Sequence, residues 1–345
     1  MSESRQSNRV IKKKQKKKKL VLWLLTPILL LTVSTTVYGT FLYNKAEDVV
    51  ADSYQEIDTN VNTDRSISEE RKETEVKPDT NNTSILFIGV DDSNSRDYEE
   101  GTRSDALMLA TFNEEQKSVK LLSIPRDSYV HIPSNDTYTK INHAHALGGP
   151  SATVETVQEL LGIPVHYYVR MNFYAFIDVV DALDGVEVDV PYVIREKDTE
   201  DNRNAIRLEP GRQLLTGREA LAFARTRKKD NDLERGKRQQ EVIQAIMGKA
   251  SSVTSISKYT DVLEAVGDNM RTNLTFSEMK DYLGYAMAGS TNNIETLQLA
   301  GKDSRKDGVY YYELDEEKLE ETKAILKEHL NLNSSKDLAQ EEQIQ

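Results

Sequence analysis

Hydrophobic and polar residues follow two periods along the chain after residue 83, and together they predict an α/β fold. Short aliphatic runs between polar loops indicate strands of a central mixed β-sheet, and apolar spacings of three and four indicate helices covering both of its faces. One such helix, Ser151 to Leu161, ends at Gly162, with Pro164 beyond it. The predicted strands are 84–90, 105–112, 118–124, 165–171, 186–190, 294–299 and 309–313; the other helices are 173–183, 218–223, 234–250 and 316–330, with two more between 250 and 294.

The segment from Leu20 to Tyr43 has no charged residue. At about 1.5 Å per residue, a helix of this length crosses a hydrocarbon core about 30 Å thick. Nine basic residues precede it, so the positive-inside rule places the N-terminus in the cytoplasm and the rest outside the cell. A signal peptide cleaved near Gly39 is the alternative, although the apolar run is longer than the roughly 7–15 residues that such peptides use.

These patterns divide the chain into five parts. We expect a basic cytoplasmic segment at 1–19, a transmembrane signal-anchor helix at 20–43 and an extracellular linker at 44–82. The extracytoplasmic domain then occupies 83–332, and 333–345 form a disordered tail. The chain is therefore predicted to be a single-pass type II protein of the cell membrane.

Charge and composition narrow the classes of function. The net charge is −12, and after residue 43 the chain has 36 basic and 56 acidic residues, which disfavours nucleic acid as a partner. The cytoplasmic segment is also too short to fold as a DNA-binding module. There is no cysteine, which excludes disulfides, a thiol nucleophile and zinc–thiolate sites.

One segment reverses the acidic character of the chain. Residues 223–240 contain seven basic side chains. Arg225 and Arg227 are two apart and would point to one side of an extended stretch, whereas Arg235 and Gln239 are four apart and share a helix face. Guanidinium groups bind phosphate through paired, charge-assisted hydrogen bonds, so the segment is a candidate phosphate site. A solvated helix face is the alternative.

Acidic and basic residues also cluster where the first three predicted strands begin or end. Asp91 and Asp92 follow the first strand, Arg103 and Asp105 open the second, and Arg126 with Asp127 follows the third. Sheets of this class place their sites at such ends. Two carboxylates there could hold Mg²⁺ once a substrate phosphate completes its shell. Any one of these acids alone would be interpreted as a turn or cap residue, and their clustering at successive strand ends weakens that interpretation.

Several motifs, in order from about residue 84 to 250, resemble the LytR-CpsA-Psr family. They are Gly89-Val90-Asp91, Thr102-Arg103-Ser104-Asp105, Ser123-Ile124-Pro125-Arg126-Asp127, Lys140-Ile141-Asn142-His143-Ala144, the helix with Leu214, Thr216, Gly217, Ala220 and Leu221, Ala224-Arg225-Thr226-Arg227 and Arg235-Gly236-Lys237-Arg238-Gln239. The family's single N-terminal anchor and extracytoplasmic domain also match the hydropathy.

The resemblance implies an enzyme that moves an anionic glycopolymer, such as wall teichoic acid, from a polyisoprenyl pyrophosphate carrier to peptidoglycan, with a new phosphodiester. It implies Mg²⁺, or Mn²⁺ in its place, as cofactor. The catalytic set would be Asp91, Asp105, Arg126 and Arg227, with Asp91 and Asp105 on the metal and Asp91 accepting the proton of the sugar hydroxyl. The pyrophosphate would be held by Arg103, Arg126, Arg225, Arg227, Arg235 and Gln239, and secondary candidates are Asp92, Asp232, Asn142, His143 and Arg238.

The carrier lipid requires an apolar pocket, which we expect between the sheet and the helices. The candidates are Phe173, Phe176, Ile177, Val180, Val242, Ile243 and Ile246, at spacings that ordinary core residues share. Two other functions remain open. A hydrolase acting on the same lipid pyrophosphate would need similar acids and arginines, and a non-catalytic regulator of the cell envelope would need none of them.

Overall fold

The computed structural model describes residues 40, 41, 43–57, 82–91, 101–199, 202–226, 232–250, 262, 267–287 and 293–332. The chain divides into two compact units, 1–48 and 49–345. In the first, the described residues, 40, 41 and 43–48, are helical. Across the described ranges we find no helix with the length and apolarity that a membrane span needs. The predicted span at 20–43 and the predicted tail at 333–345 lie almost wholly outside those ranges.

The described part of the larger unit is built around a six-stranded mixed sheet. Its strands are β1 (Thr83–Val90), β2 (Ser104–Asn113), β3 (Ser118–Ile124), β6 (Tyr167–Asn172), β11 (Met270–Thr272) and β12 (Ile294–Gln298). Their order is β11-β6-β1-β2-β3-β12. β2 is antiparallel to β1 and β3, whereas β6 is parallel to β1 and β12 is parallel to β3. The prediction of a central mixed sheet is therefore confirmed.

Helices pack on the residues of both sheet faces. The helices are α1 (His143–Leu161), α2 (Phe173–Ala182), α3 (Gly217–Arg225), α4 (Asp232–Ala250), α5 (Phe276–Met287) and α6 (Glu316–His329). Leu86 and Leu109, on one face, belong to a buried cluster with α1 and α6. Met108 and Ala110, on the other face, belong to a cluster with α2, α4 and α5. Alternate side chains of a strand point to opposite faces, which explains why β1 and β2 are apolar almost throughout.

The predicted end of α1 is confirmed and its start is earlier than predicted. Gly162 closes the helix in the left-handed conformation, with φ 62°, and its N–H donates to the carbonyl of Gln158. The helix begins at His143 because a short first segment precedes a kink at Gly148 and Gly149, where φ and ψ are not helical. The sequence pattern found only the segment after Pro150.

Paired short strands lie outside the central sheet. They are β4 (Tyr129–Ile132) with β5 (Thr137–Lys140), β7 (Val186–Val190) with β10 (Gly211–Leu215), β8 (Ile194–Glu196) with β9 (Ile206–Leu208) and β13 (Gly301–Lys306) with β14 (Val309–Leu314). The predicted strand 186–190 is therefore present, but it pairs with β10 rather than with the central sheet. Val186 and Val188 pack with Phe223 of α3 in a third apolar cluster.

Residues 49–57 pack with the folded domain, although the sequence pattern assigned them to the linker. Val50 and Ile57 are buried, and the Ser53 hydroxyl donates to the carbonyl of Gly267. The hydroxyl of Tyr168 donates to the carbonyl of Gln55 at 2.9 Å. This segment has too few apolar residues for a periodic signal, so only its tertiary contacts reveal it.

Candidate functional site

A cavity of about 490 Å³ lies between the sheet and helices α2, α3 and α4. Its apolar lining comes from β1, β2, β6 and those helices: Phe87, Met108, Ala110, Phe112, Met171, Phe173, Phe176, Val179, Leu221, Ala224, Ile243, Ile246 and Met247. Its charged and amide lining comes from Asp91, Asp105, Arg126, Asn172, Glu196, Lys197, Arg225, Arg235 and Gln239. The volume is that of a typical small-molecule site.

The strand pairing brings the predicted acids and Arg126 to one edge of the sheet. Asp91 follows β1, whose last residue, Val90, pairs with Ser104 at the start of β2. β3 runs antiparallel to β2, so its end and the Arg126 that follows it lie at the same edge. Asn172, at the end of β6, is the parallel partner of Val90. We call Asp91, Asp105 and Arg126 the charged edge.

A chain of ion pairs leads from the charged edge into the protein. Arg126 pairs with Asp105 through Nη1, and its Nε lies 3.7 Å from Oδ2 of Asp127. Asp127 is buried, and its Oδ1 accepts a bond of 2.7 Å from Nζ of Lys140. Charged partners on both sides restrict the rotamers of Arg126, which therefore presents its guanidinium in a defined position beside the cavity.

The start of α4 carries two predicted anion ligands, Arg235 and Gln239, to the cavity. Arg235 is only 6% exposed. Gly236 permits the close approach of α4 to β3, because a Cβ there would lie 2.7 Å from Oγ of Ser123. The buried amide of Gln240 then donates to the carbonyls of Leu121 and Leu297, which fixes α4 across β3 and β12.

Arg225 reaches the cavity from the last turn of α3. Its Nη2 donates to the carbonyl of Lys197 at 2.7 Å. Arg238 was a secondary candidate for the site, but it does not line the cavity. Its Nε donates instead to the carbonyl of Phe223 at 3.0 Å. Nη2 of Arg238 also binds the carbonyl of Thr226. Arg238 therefore holds the end of α3, and with it the backbone beside Arg225.

Arg103 and His143 do not line the cavity, although Arg103 is close enough to His143 for its charge to act on the imidazole. Burial lowers the pKa of His143, and the positive charges of Arg103 and Lys140 lower it further. His143 is therefore neutral at physiological pH, with Nδ1 3.0 Å from the Thr139 hydroxyl. Asn142 is buried, immediately precedes α1, and donates its backbone N–H to the carbonyl of Arg126 at 3.2 Å. It thus supports the Arg126 backbone.

A buried arginine–histidine pair supports the loop that carries Arg103. Nε of Arg170 donates to Nε2 of His145 at 3.2 Å, so the proton of the neutral imidazole lies on Nδ1. That Nδ1–H donates to the carbonyl of Thr102 at 2.6 Å. This fixed carbonyl sets the position where β2 begins, and Asp105 follows three residues later.

The predicted lipid-pocket residues divide into two groups. Phe173, Phe176, Ile243 and Ile246 line the cavity. Ile177, Val180 and Val242 do not; they are buried, and Val180 and Val242 pack in the apolar cluster of β7 and α3. The two faces of α2 meet different neighbours, the cavity at 173, 176 and 179 and the core at 177 and 180. Helical spacing alone could not separate them.

Three predicted site residues lie wholly or partly outside the described part of the chain. Asp92 and Arg227 lie outside the described residues, and only the backbone of Asp232 is described, as the first residue of α4. Conversely, the structure adds Glu196, Lys197 and the strand residues Phe87, Met108 and Phe112 to the cavity. Alternate residues of β2, at 106, 108, 110 and 112, share one face of the strand, and this alternation could have predicted that they line the cavity together. Nothing in the sequence marked Glu196, which accepts a hydrogen bond from Thr226.

The charged edge offers few side chains that could bind a metal ion. Within the described ranges, no cluster of three or more His, Asp or Glu side chains is arranged to hold a metal ion. Asp91 and Asp105 supply two carboxylates at one edge, and Mg²⁺ commonly uses one or two carboxylates and completes its shell with water and substrate phosphate. These residues therefore fit a divalent ion that binds together with a phosphate ligand.

Comparison with known proteins identifies a family and several solved relatives. The model of the LytR_cpsA_psr family matches residues 50–328. The chain is 43% identical over 262 residues to the polyisoprenyl-teichoic acid--peptidoglycan teichoic acid transferase TagT of Bacillus subtilis (strain 168), covering 75% of this chain and 80% of that protein. It is 36% identical over 311 residues to TagU of the same strain, described as the same transferase, covering 90% and 95%.

Two solved structures resemble this one in fold and carry ligands. One is described as TagT bound to LIIa-WTA, with a TM-score of 0.65 and 40% identity over 76% of this chain and 95% of that chain. The other is the LytR-CPS2A-psr family protein YwtF (TagT) with bound octaprenyl pyrophosphate lipid, with a TM-score of 0.62 and 38% identity over the same shares.

Proposed function

Because the chain belongs to the LytR-CpsA-Psr family, we propose that it transfers an anionic glycopolymer of the wall teichoic acid kind from a polyisoprenyl pyrophosphate carrier to peptidoglycan. The observation that carries this proposal is the joining of a charged edge to a long apolar cavity. Relatives named as teichoic acid transferases and a related structure holding octaprenyl pyrophosphate support it.

The cavity suits the carrier lipid. Ala106, Met108, Ala110 and Phe112 line it along one face of β2. Six residue steps separate the first from the last, which is about 20 Å at the rise of a strand. Each methylene group moved from water into such an environment contributes about 0.8 kcal/mol. A polyisoprenyl chain would therefore bind along β2, with its pyrophosphate at the charged edge.

The arginine side chains that line the cavity would bind the pyrophosphate. Arg126 comes from the sheet edge, Arg225 from α3 and Arg235 from α4, so three elements present guanidinium groups to one cavity. The resemblance to the family also implies Gln239, Arg227 and Arg103 for this task; Gln239 lines the cavity, whereas Arg103 does not. Fixed guanidinium groups stabilise the charge that develops on phosphate oxygens, without reorganisation during the reaction.

The transfer exchanges one phosphorus–oxygen bond for another. A sugar hydroxyl of peptidoglycan attacks the phosphorus that carries the glycopolymer and forms the phosphodiester. The bond to the bridging oxygen breaks, and polyisoprenyl phosphate leaves with that electron pair. The proton of the hydroxyl passes to Asp91 in this proposal, and Asp105 pairs with Arg126 at the same edge of the sheet. Asp91 and Asp105 would also hold Mg²⁺, or Mn²⁺, whose charge would offset that of the pyrophosphate.

The N-terminal sequence fits a reaction at the extracellular surface of the cell membrane. The uncharged run 20–43 and the nine basic residues before it support a single-pass anchor with its N-terminus in the cytoplasm. The domain would then meet a carrier lipid in the same membrane and peptidoglycan outside it. Fusion of a topology reporter before residue 12 and after residue 57 tests this arrangement: activity of an extracellular reporter at the first position would contradict it.

Product mass tests the function directly. The full chain in detergent is incubated with lipid-pyrophosphate-linked glycopolymer, peptidoglycan oligomers and Mg²⁺. We expect a product whose mass is the sum of glycopolymer phosphate and oligomer, minus water. Arg126→Ala should abolish it. Arg212→Ala should not, because it removes an exposed arginine of β10 that pairs with Glu187 of β7.

The outcomes separate the candidate functions. Free phosphorylated glycopolymer without the joined product would identify a hydrolase on the same lipid. If the folded parent protein leaves the lipid-linked glycopolymer unchanged, catalysis is contradicted, and a non-catalytic protein of the cell envelope is the remaining candidate. Loss of product on chelation, with recovery on adding Mg²⁺ or Mn²⁺, tests the proposed cofactor.

A further inference from the structure

Tyrosine rings from two hairpins meet beside the charged edge. The ring centroid of Tyr129, on β4, lies 5.0 Å from that of Tyr311 on β14 and 5.9 Å from that of Tyr138 on β5. Tyr138 is 63% exposed, and Tyr129 and Tyr311 are partly exposed. The neighbouring Tyr312 is instead buried and donates its hydroxyl to the carbonyl of Leu299. We call Tyr129, Tyr138 and Tyr311 the aromatic shelf.

Two lysines lie over the rings of the aromatic shelf. Nζ of Lys306 is 4.3 Å from the ring centroid of Tyr129, and Nζ of Lys140 is 5.8 Å from that of Tyr311. Cations at these distances are attracted by the negative faces of the rings. The shelf is therefore an ordered surface with exposed apolar rings and positive charge at its margin, in a chain whose net charge is −12.

The aromatic shelf is joined to the charged edge by short covalent and hydrogen-bonded connections. Tyr129 follows Arg126 by three residues. The backbone N–H of Tyr312 donates to the carbonyl of Asp127 at 2.8 Å, which ties β14 to the same loop. Lys140 binds Asp127 through its side chain at 2.7 Å. A ligand on the shelf would therefore extend to the residues proposed to hold the pyrophosphate.

The shelf and the cavity approach the charged edge from opposite sides of the sheet. Val130 of β4 and Ile141 belong to the apolar cluster under α1. The cavity lies on the other face, where Met108 and Ala110 pack toward α2 and α4. In phosphoryl transfer the attacking and leaving oxygens lie roughly in line through phosphorus. The acceptor hydroxyl must then arrive from the side away from the carrier, which is the side of the shelf.

We infer that the aromatic shelf binds the acceptor, a glycan strand of peptidoglycan; this rests on the proposed function. The C–H faces of pyranose rings would stack on the rings of Tyr138 and Tyr311. A tyrosine ring offers apolar contact, while its hydroxyl group remains hydrated at the protein surface. Lys306 would face the carboxylates of the strand's peptides.

Glycan binding can be measured independently of transfer. Calorimetry with the full chain in detergent and soluble peptidoglycan oligosaccharides gives the acceptor Kd. We expect Tyr138→Ala to raise it about tenfold, equivalent to about 1.4 kcal/mol. Tyr138→Phe keeps the ring and should bind as the parent does. Tyr54→Ala is the matched control, because Tyr54 is also exposed, at 43%, and lies outside the shelf.

Binding of octaprenyl pyrophosphate to the same variants separates this inference from the proposed function. We expect all of them to bind that lipid as the parent does. If the parent binds the lipid but not the oligosaccharide, or if Tyr138→Ala leaves the acceptor Kd unchanged, the shelf assignment is overturned while the function stands. If oligosaccharide binding depends on Tyr138 but no lipid binds, the proposed function fails and the shelf remains a glycan site.

Discussion

Ala110 offers a way to shorten the cavity without removing any charged group. It lies on β2 and lines the cavity, on the same strand face as the lining residues Met108 and Phe112. Ala110→Ile adds three carbon groups there, and a β-branched residue suits a strand. The added groups would displace about the same volume of bound hydrocarbon.

The expected loss of lipid affinity follows from the displaced groups. Three groups at about 0.8 kcal/mol each give about 2.4 kcal/mol, or about a 50-fold rise in the Kd for octaprenyl pyrophosphate. The protein itself should not be destabilised, since filling a cavity commonly raises stability by about 0.5–2 kcal/mol. Affinity and stability should therefore change in opposite directions.

Displacement of a fluorescent polyisoprenyl pyrophosphate from the full chain measures the affinity, and urea unfolding measures the stability. Ala205→Ile is the matched control. Ala205 is exposed just before β9, so this substitution adds the same three carbon groups away from the cavity. An Ala110→Ile variant that binds lipid as tightly as Ala205→Ile, with intact folding, would refute the placement of the lipid along β2.

Three further predictions concern single side chains. Arg126→Lys should lower the transfer rate about 10²–10³-fold in a turnover assay, because an ammonium group cannot reproduce the fork held by Asp105; a rate within threefold of the parent would contradict that role. Burial lowers the pKa of His329 to about 4, so its neutral form stabilises the fold above pH 6.5 and this contribution declines as the pH falls from 6.5 toward 4. The urea midpoint should therefore drop between pH 7 and pH 5, and less so in His329→Gln; equal drops would exclude His329. Burial raises the pKa of Glu155, whose carboxylate oxygens have no hydrogen-bond partner among the described residues, so its ionisation costs stability as the pH rises above 4.5. Glu155→Gln should raise the free energy of unfolding at pH 7 by about 1–2 kcal/mol and change it little at pH 4, and a loss at pH 7 would contradict this reasoning.

The sheet and its charged edge were predictable because their signals are local. The aliphatic runs of β1, β2 and β3 are continuous, and each is bounded by the acids or arginines that the structure places at one edge. The helix end at Gly162 followed from glycine and the proline beyond it. Antiparallel pairing of β2 with its two neighbours then brings residues that are distant in sequence together at that edge.

Other features depend on tertiary contacts that leave no period in the sequence. Strand β13 is polar and half of its residues are exposed, so only Val309 to Glu313 of the β13–β14 hairpin was predicted. Arg238 belongs to a basic motif like that of Arg235, yet it binds backbone carbonyls at the end of α3. The choice between cavity and core on α2 depends on which neighbour each face meets.

A structure of the full chain with a polyisoprenyl pyrophosphate and Mg²⁺ tests the central claim most directly. We predict that phosphate oxygens lie within hydrogen-bond distance of Arg126 and Arg235, with the hydrocarbon chain along Met108, Ala110 and Phe112. A lipid bound elsewhere on the protein, with the charged edge and the cavity both empty of it, would contradict the account.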